Sequence, residues 1–360
     1  MATATASSSA NLPASSTKDI TTTTATPTSA AHDLFDTLKT DEPYWANYLL
    51  ARPTYSPSFY ALLNAYRAAS SPTFDLAHDI GTGPGQVARE LATTLGYAHV
   101  IASDASAAHV AVAGRLHRDL VDSGRLSLHA ATGEEVADAV DGKQLGAADA
   151  VFCAEAIPLM DAERAVDGFA RLLRRGGVAA AWFYGRPFFA GEEGFGSAGE
   201  CDAVYARIVN RLFKPMIAAL GQKERKGWLR ATGAMHSWLD SVAFPADVWE
   251  RVERRKWNGS RTMDFYDLAE CGVEVEPVSA VRDGEMVEEV EDPGFWQAEW
   301  TAGDVRRFIE VNLPKFWEGK DESRDEELEA LYGELEKAMG GPDAKRKIGW
   351  PVVLLLATKK

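Results

Sequence analysis

The run Asp79-Ile80-Gly81-Thr82-Gly83-Pro84-Gly85-Gln86 sets three glycines at alternate positions between an apolar stretch and a helical pattern. Small residues are needed where a backbone turns from strand into helix and must lie against a ligand. The spacing excludes two common uses of such a loop. A dinucleotide fingerprint G-x-G-x-x-G starting at Gly81 requires glycine at position 86, where the chain has Gln86, and no Gly-Lys-Ser/Thr follows to make a P-loop. NAD is therefore not an expected ligand.

The surroundings of the loop narrow the fold. Leu76 to Ile80 reads as a buried strand, and Gln86 to Leu95 as a helix closed by Gly96. A second apolar run, His99 to Ser103, ends in Asp104, about 20 residues past the loop, where an acidic side chain is placed to accept hydrogen bonds from ribose hydroxyls. Residues 106–120 have helical spacing, Arg125 to Ala130 and Asp149 to Ala154 are strand candidates, and a helix from about Asp161 to Arg174 ends at Gly176-Gly177 before a fifth strand, Val178 to Tyr184. Apolar strands alternating with helices predict an α/β fold with a parallel, doubly wound sheet covered on both faces. Ligands bind such sheets at the carboxyl ends of the strands. The glycine loop, Asp104, Thr132-Gly133-Glu134 and Cys153-Ala154-Glu155 all fall there.

With these residues in this order, the chain resembles the class I S-adenosylmethionine (SAM) methyltransferases. The strand ADAVFCAEA, the helix ending RLLRRGG, the upstream segment YLLARPTYSPSFY (Tyr48 to Tyr60) and the closing GWPVVLLLATKK are similar to the branch containing the trans-aconitate methyltransferases and their fungal relatives. The match covers residues 44–190 strongly and 280–360 loosely. It implies a Rossmann-like sheet of seven strands, the last antiparallel and inserted between strands 5 and 6. It also implies SAM as cofactor, S-adenosylhomocysteine as product and a small-molecule acceptor. On the cofactor side it points to Tyr48, Arg52, Asp79, Gly81, Thr82, Gly83, Gly85, Asp104, Ala105, Thr132, Gly133, Glu134, Cys153 and Glu155. Two departures touch the acceptor side: Ala156-Ile157-Pro158-Leu159-Met160 replaces a His-Trp pair frequent in relatives, and Ile309-Glu310-Val311-Asn312 replaces a Thr-Trp-Ser. The first points to an acceptor bulkier or more apolar than trans-aconitate.

Composition removes other classes of partner. A net charge of −15 argues against nucleic acid and against acidic phospholipid surfaces, which both call for basic patches. The longest apolar run, Trp350 to Ala357, is far short of a membrane span. Cys153, Cys201 and Cys271 form no C-x-x-C pair or disulfide framework, so a reducing, cytoplasmic setting is expected. The histidines show no metal-ligand spacing, and no metal is predicted.

Four segments follow. Residues 1–35, rich in Ala, Ser and Thr, are expected to be a disordered tail without the apolar core of a secretion signal. Residues 36–190 form the cofactor-binding core. Residues 191–280, with Trp228, Trp238, Trp249 and Trp257 and helical stretches near 201–220 and 245–256, are expected to form a mainly helical lid over the acceptor. Residues 281–360 complete the sheet, with a strand at Glu288 to Trp300, a helix opened by the capping box at Thr301-Ala302-Gly303-Asp304, a helix at 326–339 and a last strand at 348–358.

The candidate bases are His236, Glu155, Tyr184 and Glu299, with His236, Glu155 and Tyr184 taken as the catalytic set. A carboxylate acceptor is already ionised at neutral pH and needs no base, whereas a hydroxyl gains from one. Arg52 is suited to pair with the methionine carboxylate of the cofactor or with an acidic acceptor. Two alternative functions share this sequence: a SAM-binding cyclase or pericyclase that does not methylate, and a regulatory protein that keeps the fold.

Overall fold

Residues 42–70, 73–191, 198–313 and 325–360 are described by a computed structural model; the Ala/Ser/Thr-rich stretch, residues 1–35, lies outside them. Two helices, α1 (Glu42–Ala51) and α2 (Pro57–Ala68), precede the sheet. Ser56 caps α2 by accepting from the Phe59 N–H, with Pro57 at the first turn, where its missing N–H has no partner to lose. The alternation follows as β1 (Leu76–Ile80), α3 (Gln86–Thr93), β2 (His99–Asp104), α4 (Ala107–Leu116), α5 (Arg118–Asp122), β3 (Leu126–Ala130), α6 (Val136–Ala139), β4 (Ala148–Ala154), α7 (Ala162–Leu172) and β5 (Leu173–Tyr184).

Strands β3, β2, β1, β4 and β5 lie parallel in that order. β2, β4 and β5 bury apolar side chains on both faces because each face has its own core. Val100, Phe152, Trp182 and Tyr184 enter one cluster; Ile101, Val151, Cys153 and Phe183, one residue out of step, enter the other. The period of two is thus present but invisible as polar alternation. Burying each such Val, Ile or Phe stabilises the fold by about 1.5–3 kcal/mol.

The remaining elements are β6 (Phe188–Phe189), α8 (Ala198–Ala219), α9 (Gln222–His236), β7 (Trp249–Trp257), β8 (Met286–Val290), β9 (Gln297–Trp300), α10 (Ala302–Asn312), α11 (Glu326–Met339), β10 (Arg346–Gly349) and β11 (Val352–Lys359). β11 sits between β5 and β7 and runs antiparallel to both, as the family resemblance implies. Thr301 and Asp304 form the expected capping box at α10.

Three expectations about this half are corrected. Among the described residues the main sheet has eight strands, not seven, because β8 adds a parallel edge to β7. Residues 245–256 are not helical: Trp249–Trp257 is the strand β7. Its core-facing positions include Arg254 and Lys256, so charge hides the strand pattern; Arg254 Nε donates to Glu285 (2.7 Å), its guanidinium also donates to the Leu239 and Val242 carbonyls, and Lys256 pairs with Asp240 (2.8 Å). Nor are 288–300 and 348–358 single strands. The turn at Asp292-Pro293-Gly294 separates β8 from β9, and Pro351, which has no N–H to donate, separates β10 from β11. β6, β10 and β9 make a second, three-stranded antiparallel sheet.

Among the described residues no helix is long and apolar enough to cross a membrane, and no group of three or more His, Cys, Asp or Glu is placed to hold a metal ion.

Candidate active site

A cleft opens at the carboxyl ends of β1, β4 and β5, lined by Tyr48, Arg52, Pro53, Tyr55, Asp79, Gly81, Thr82, Gly83, Pro84, Gln86, Val87, Ala154, Glu155 and Tyr184. Its floor is the loop after β1. Gly81 has φ +73°, and a Cβ there would lie 2.4 Å from Ala156 Cβ, so both the dihedral and the space call for glycine. Gly83 also has positive φ (+54°), but a Cβ there would meet nothing within 4 Å: the backbone faces open cleft.

Asp79 is fully buried, and Thr82 Oγ1 donates to its Oδ2 at 2.6 Å. Burial pushes its carboxyl up to about 7, opposed by the Thr82 hydroxyl and the Ala88 N–H and assisted by the negative charge of Asp104. Asp104, at the end of β2, accepts from the Gly83 N–H on Oδ2 (2.8 Å) and from the Ser106 N–H (2.9 Å) and His109 Nδ1 (3.1 Å) on Oδ1. Burial alone would raise this carboxyl, yet these donors together hold it below the usual range.

Opposite the loop, Arg52 Nη1 donates to the Tyr184 hydroxyl, and the guanidinium lies 4.8 Å from the Tyr48 ring centre. Arg52 Nε has no hydrogen-bond partner among the described residues. Glu155 holds a left-handed backbone (φ +58°), which is costly for a residue with a Cβ, and its Oε1 accepts from the Tyr184 N–H at 3.1 Å. Burial raises the Glu155 carboxyl well above the ordinary value despite Arg52 and that N–H. Tyr55 and Tyr184 are likewise pushed up by burial. Behind them Tyr55 packs edge-on to Trp182 and Trp296 (5.5 and 5.0 Å), and Trp296 stacks on Phe59 (5.2 Å).

Of the residues singled out from sequence, Tyr48, Arg52, Asp79, Gly81, Thr82, Gly83, Glu155 and Tyr184 line this cleft. Gly85, Asp104 and Ala105 lie just behind the loop and at the end of β2, with Gly85 packed against His117 and Asp104 bonded to Gly83. Thr132 and Gly133 are buried after β3, with Gly133 pressed against Met160; Glu134 Oε1 accepts from the Asp161 N–H (2.7 Å) and so ties down the start of α7. The Cys153 thiol is buried in the core, where burial raises its pKa, and its neighbour Ala154 lines the cleft instead. His236 is not among the lining residues: it ends α9 with Nδ1 bonded to Asp264 Oδ2 at 2.8 Å. Glu299 pairs within the second sheet. The tryptophans expected over the acceptor serve packing. Trp228 stacks on Tyr266, Trp257 on Phe295 at 3.9 Å, Trp249 meets Phe244 edge-on, and Trp238 packs against the second core. The sequence reading did not single out Tyr55 or His109. Tyr55 lay inside the quoted Tyr48–Tyr60 segment; for His109 the available signal was its place five residues after Asp104, on the first turn of α4.

A parallel sheet with a glycine-rich turn after β1 and an acid ending β2 makes a nucleotide-type binding site at the carboxyl ends of the strands, and residues 77–177 match the model of a methyltransferase domain. The chain is 42% identical to the methyltransferase cfoB of Aspergillus candidus over 332 residues, 92% of this chain and 98% of that one. It is 40% identical to the methyltransferase pgmE of Aspergillus terreus over 324 residues, 88% and 94% of the two chains. Among solved structures, a putative type II methyltransferase from Anaeromyxobacter dehalogenans aligns with 19% identity and a TM-score of 0.49, covering 85% of this chain and 97% of that one. The chain belongs to the methyltransferase family, and its cofactor is SAM.

Proposed function

We propose that the protein transfers a methyl group from SAM to an oxygen of a small acceptor with aromatic or extended apolar character, bound beside Arg52, Glu155 and Tyr184. The observation that carries this reading is one cleft joining the open backbone at Gly83 to a charged and aromatic wall at Tyr55, Glu155 and Tyr184.

The residues fit the cofactor. Gly83 leaves room for a ligand against the backbone, Arg52 Nε, without a partner among the described residues, suits a carboxylate, and Asp104 retains acceptor capacity for a ribose hydroxyl. Thr132, Gly133 and Glu134 follow the end of β3, at the same edge of the sheet as Asp104. When bound, SAM supplies a methyl carbon activated by a sulfonium, so the protein's task is chiefly to align an acceptor lone pair with that carbon and exclude water.

Glu155 is the favoured base. Its carboxyl lines the cleft, and although burial raises it well above the ordinary value, the Arg52 guanidinium and the Tyr184 N–H favour the charged form that can take a hydroxyl proton. Tyr184, held by Arg52, orients the acceptor, and the His236–Asp264 pair stands outside the cleft lining.

Glu155→Gln keeps an acceptor for the Tyr184 N–H but removes the base. With a hydroxyl acceptor kcat should fall by about 10²–10⁴ while the affinity for S-adenosylhomocysteine is nearly unchanged. The function itself is tested by incubating the protein with SAM and a panel of polyketide- or terpenoid-like phenols, alcohols and acids. The expected outcome is S-adenosylhomocysteine in equal amount to a product carrying one added CH₂. Product of unchanged mass with SAM intact would overturn the proposal in favour of a non-methylating enzyme.

A further inference from the structure

The carboxylate that ends β2 is held unevenly. Asp104 Oδ1 accepts twice, from the Ser106 N–H at 2.9 Å and from His109 Nδ1 at 3.1 Å, whereas Oδ2 accepts once among the described residues, from the Gly83 N–H at 2.8 Å. An ionised carboxylate oxygen has two good acceptor directions. Oδ1 is therefore filled and Oδ2 keeps one direction free, on the side of the glycine loop. A carboxylate only accepts, so Nδ1 of His109 carries the proton.

The imidazole is fixed from its other side. Trp45 of α1 meets it edge-on, with ring centres 5.0 Å apart, and Trp45 forms a small cluster with Val112 of α4, against which Tyr44 and Tyr48 pack. α1 also carries Tyr48 and leads directly to Arg52, both in the cleft lining. One side chain thus touches the carboxylate on one face and the helix bordering the cleft on the other.

We propose that His109 is a positioning residue for cofactor binding: by occupying Oδ1 it presents Oδ2 of Asp104 to the ribose hydroxyls, and through Trp45 it seats α1 over the same site. This rests on the reading of Asp104 as the ribose acceptor. Without the Nδ1 donor, Oδ1 is free to turn toward the cleft in place of Oδ2, and part of the ordering needed for ribose recognition must be supplied at binding.

The test uses two polar variants of the full chain. In His109→Asn the amide nitrogen falls near the position of Nδ1 and keeps the bond; in His109→Gln it falls near Nε2 and loses it. Calorimetry with S-adenosylhomocysteine should find His109→Asn within about three-fold of the wild type and His109→Gln weaker by about ten-fold, the effect of one lost charge-assisted bond. Combining His109→Gln with Asp104→Asn should weaken binding no further than Asp104→Asn alone. In turnover, KM for SAM should rise with kcat at saturating SAM unchanged. Equal affinities of the Asn and Gln variants, or additive losses in the double variant, would overturn the inference. If Asp104→Asn is weakened but His109→Gln is not, this inference fails alone; if Asp104→Asn binds as tightly as the wild type, the ribose reading fails and takes it along.

Discussion

Asp79 has no exposed surface, and with its carboxyl raised to about 7 the folded protein holds a proton there that the unfolded chain releases near pH 4. The sign follows from linkage: a folded pKa above the unfolded one contributes stability below about pH 4, and that contribution disappears as pH rises through about 7. Asp79→Asn removes the titration. Relative to the wild type, the variant's melting temperature should rise between about pH 4 and pH 7 and level off above, as thermal unfolding across that range will register. At Gly81 the expectation is a loss. Gly81→Ala meets Ala156 Cβ at 2.4 Å and an unfavourable φ, so urea titration should show it destabilised by on the order of 1–3 kcal/mol, with S-adenosylhomocysteine binding weakened as the loop shifts. Both residues were legible in the sequence because their demands are local. The role proposed for His109 was not, since nothing near it in the sequence shows that its ring reaches back to Asp104 while Trp45, 64 positions earlier (109 − 45), covers it.

Whole elements were legible to the degree that their burial followed their composition. β1 and β4 announce themselves as apolar runs and lie where the sequence puts them, whereas β5 begins at Leu173, five residues before the expected Val178, so that Arg174 and Gly176-Gly177 belong to the strand and not to the end of the preceding helix. β7 does not announce itself, because Arg254 enters the interior as an ion pair. A guanidinium that is fully buried is tolerable only with its partners intact, and Glu285 is equally enclosed. Glu285→Ala is therefore expected to cost about 3–5 kcal/mol in urea unfolding, more than most single substitutions. Replacing both members by methionine should cost less than the sum of the two single changes, because no unpaired charge remains. Within 191–280 the described residues hold two helices and, where a helix was expected at 245–256, a strand of the main sheet, while Tyr48, Tyr55 and Tyr184 line the cleft. Tryptophan count carried no information about which rings pack inward and which face a ligand.

At the scale of the molecule, two cores lie on opposite faces of one sheet, and the strand joining its two halves is the last in sequence among them. Val352 pairs with Tyr184 on one side and Trp257 on the other, and so on along β11 to its end. A chain ending at Trp350 should fail to reach the native state: circular dichroism and size-exclusion chromatography should find no cooperative unfolding and an aggregated fraction, since β5 and β7 would present unpaired edges. The same placement sets the order of events during synthesis. From Tyr184 to Val352 is 168 positions (352 − 184), which at roughly 5–20 residues per second is on the order of ten seconds or more. For that interval the nascent β5 offers a bare edge while β7, emerging earlier than β11, runs in the right direction to dock on it in parallel. The native sheet separates those two strands with a third, so a premature β5–β7 ladder would have to be undone before β11 could enter. Because the joining strand is made after the two it separates, the sheet can close only once β11 has emerged.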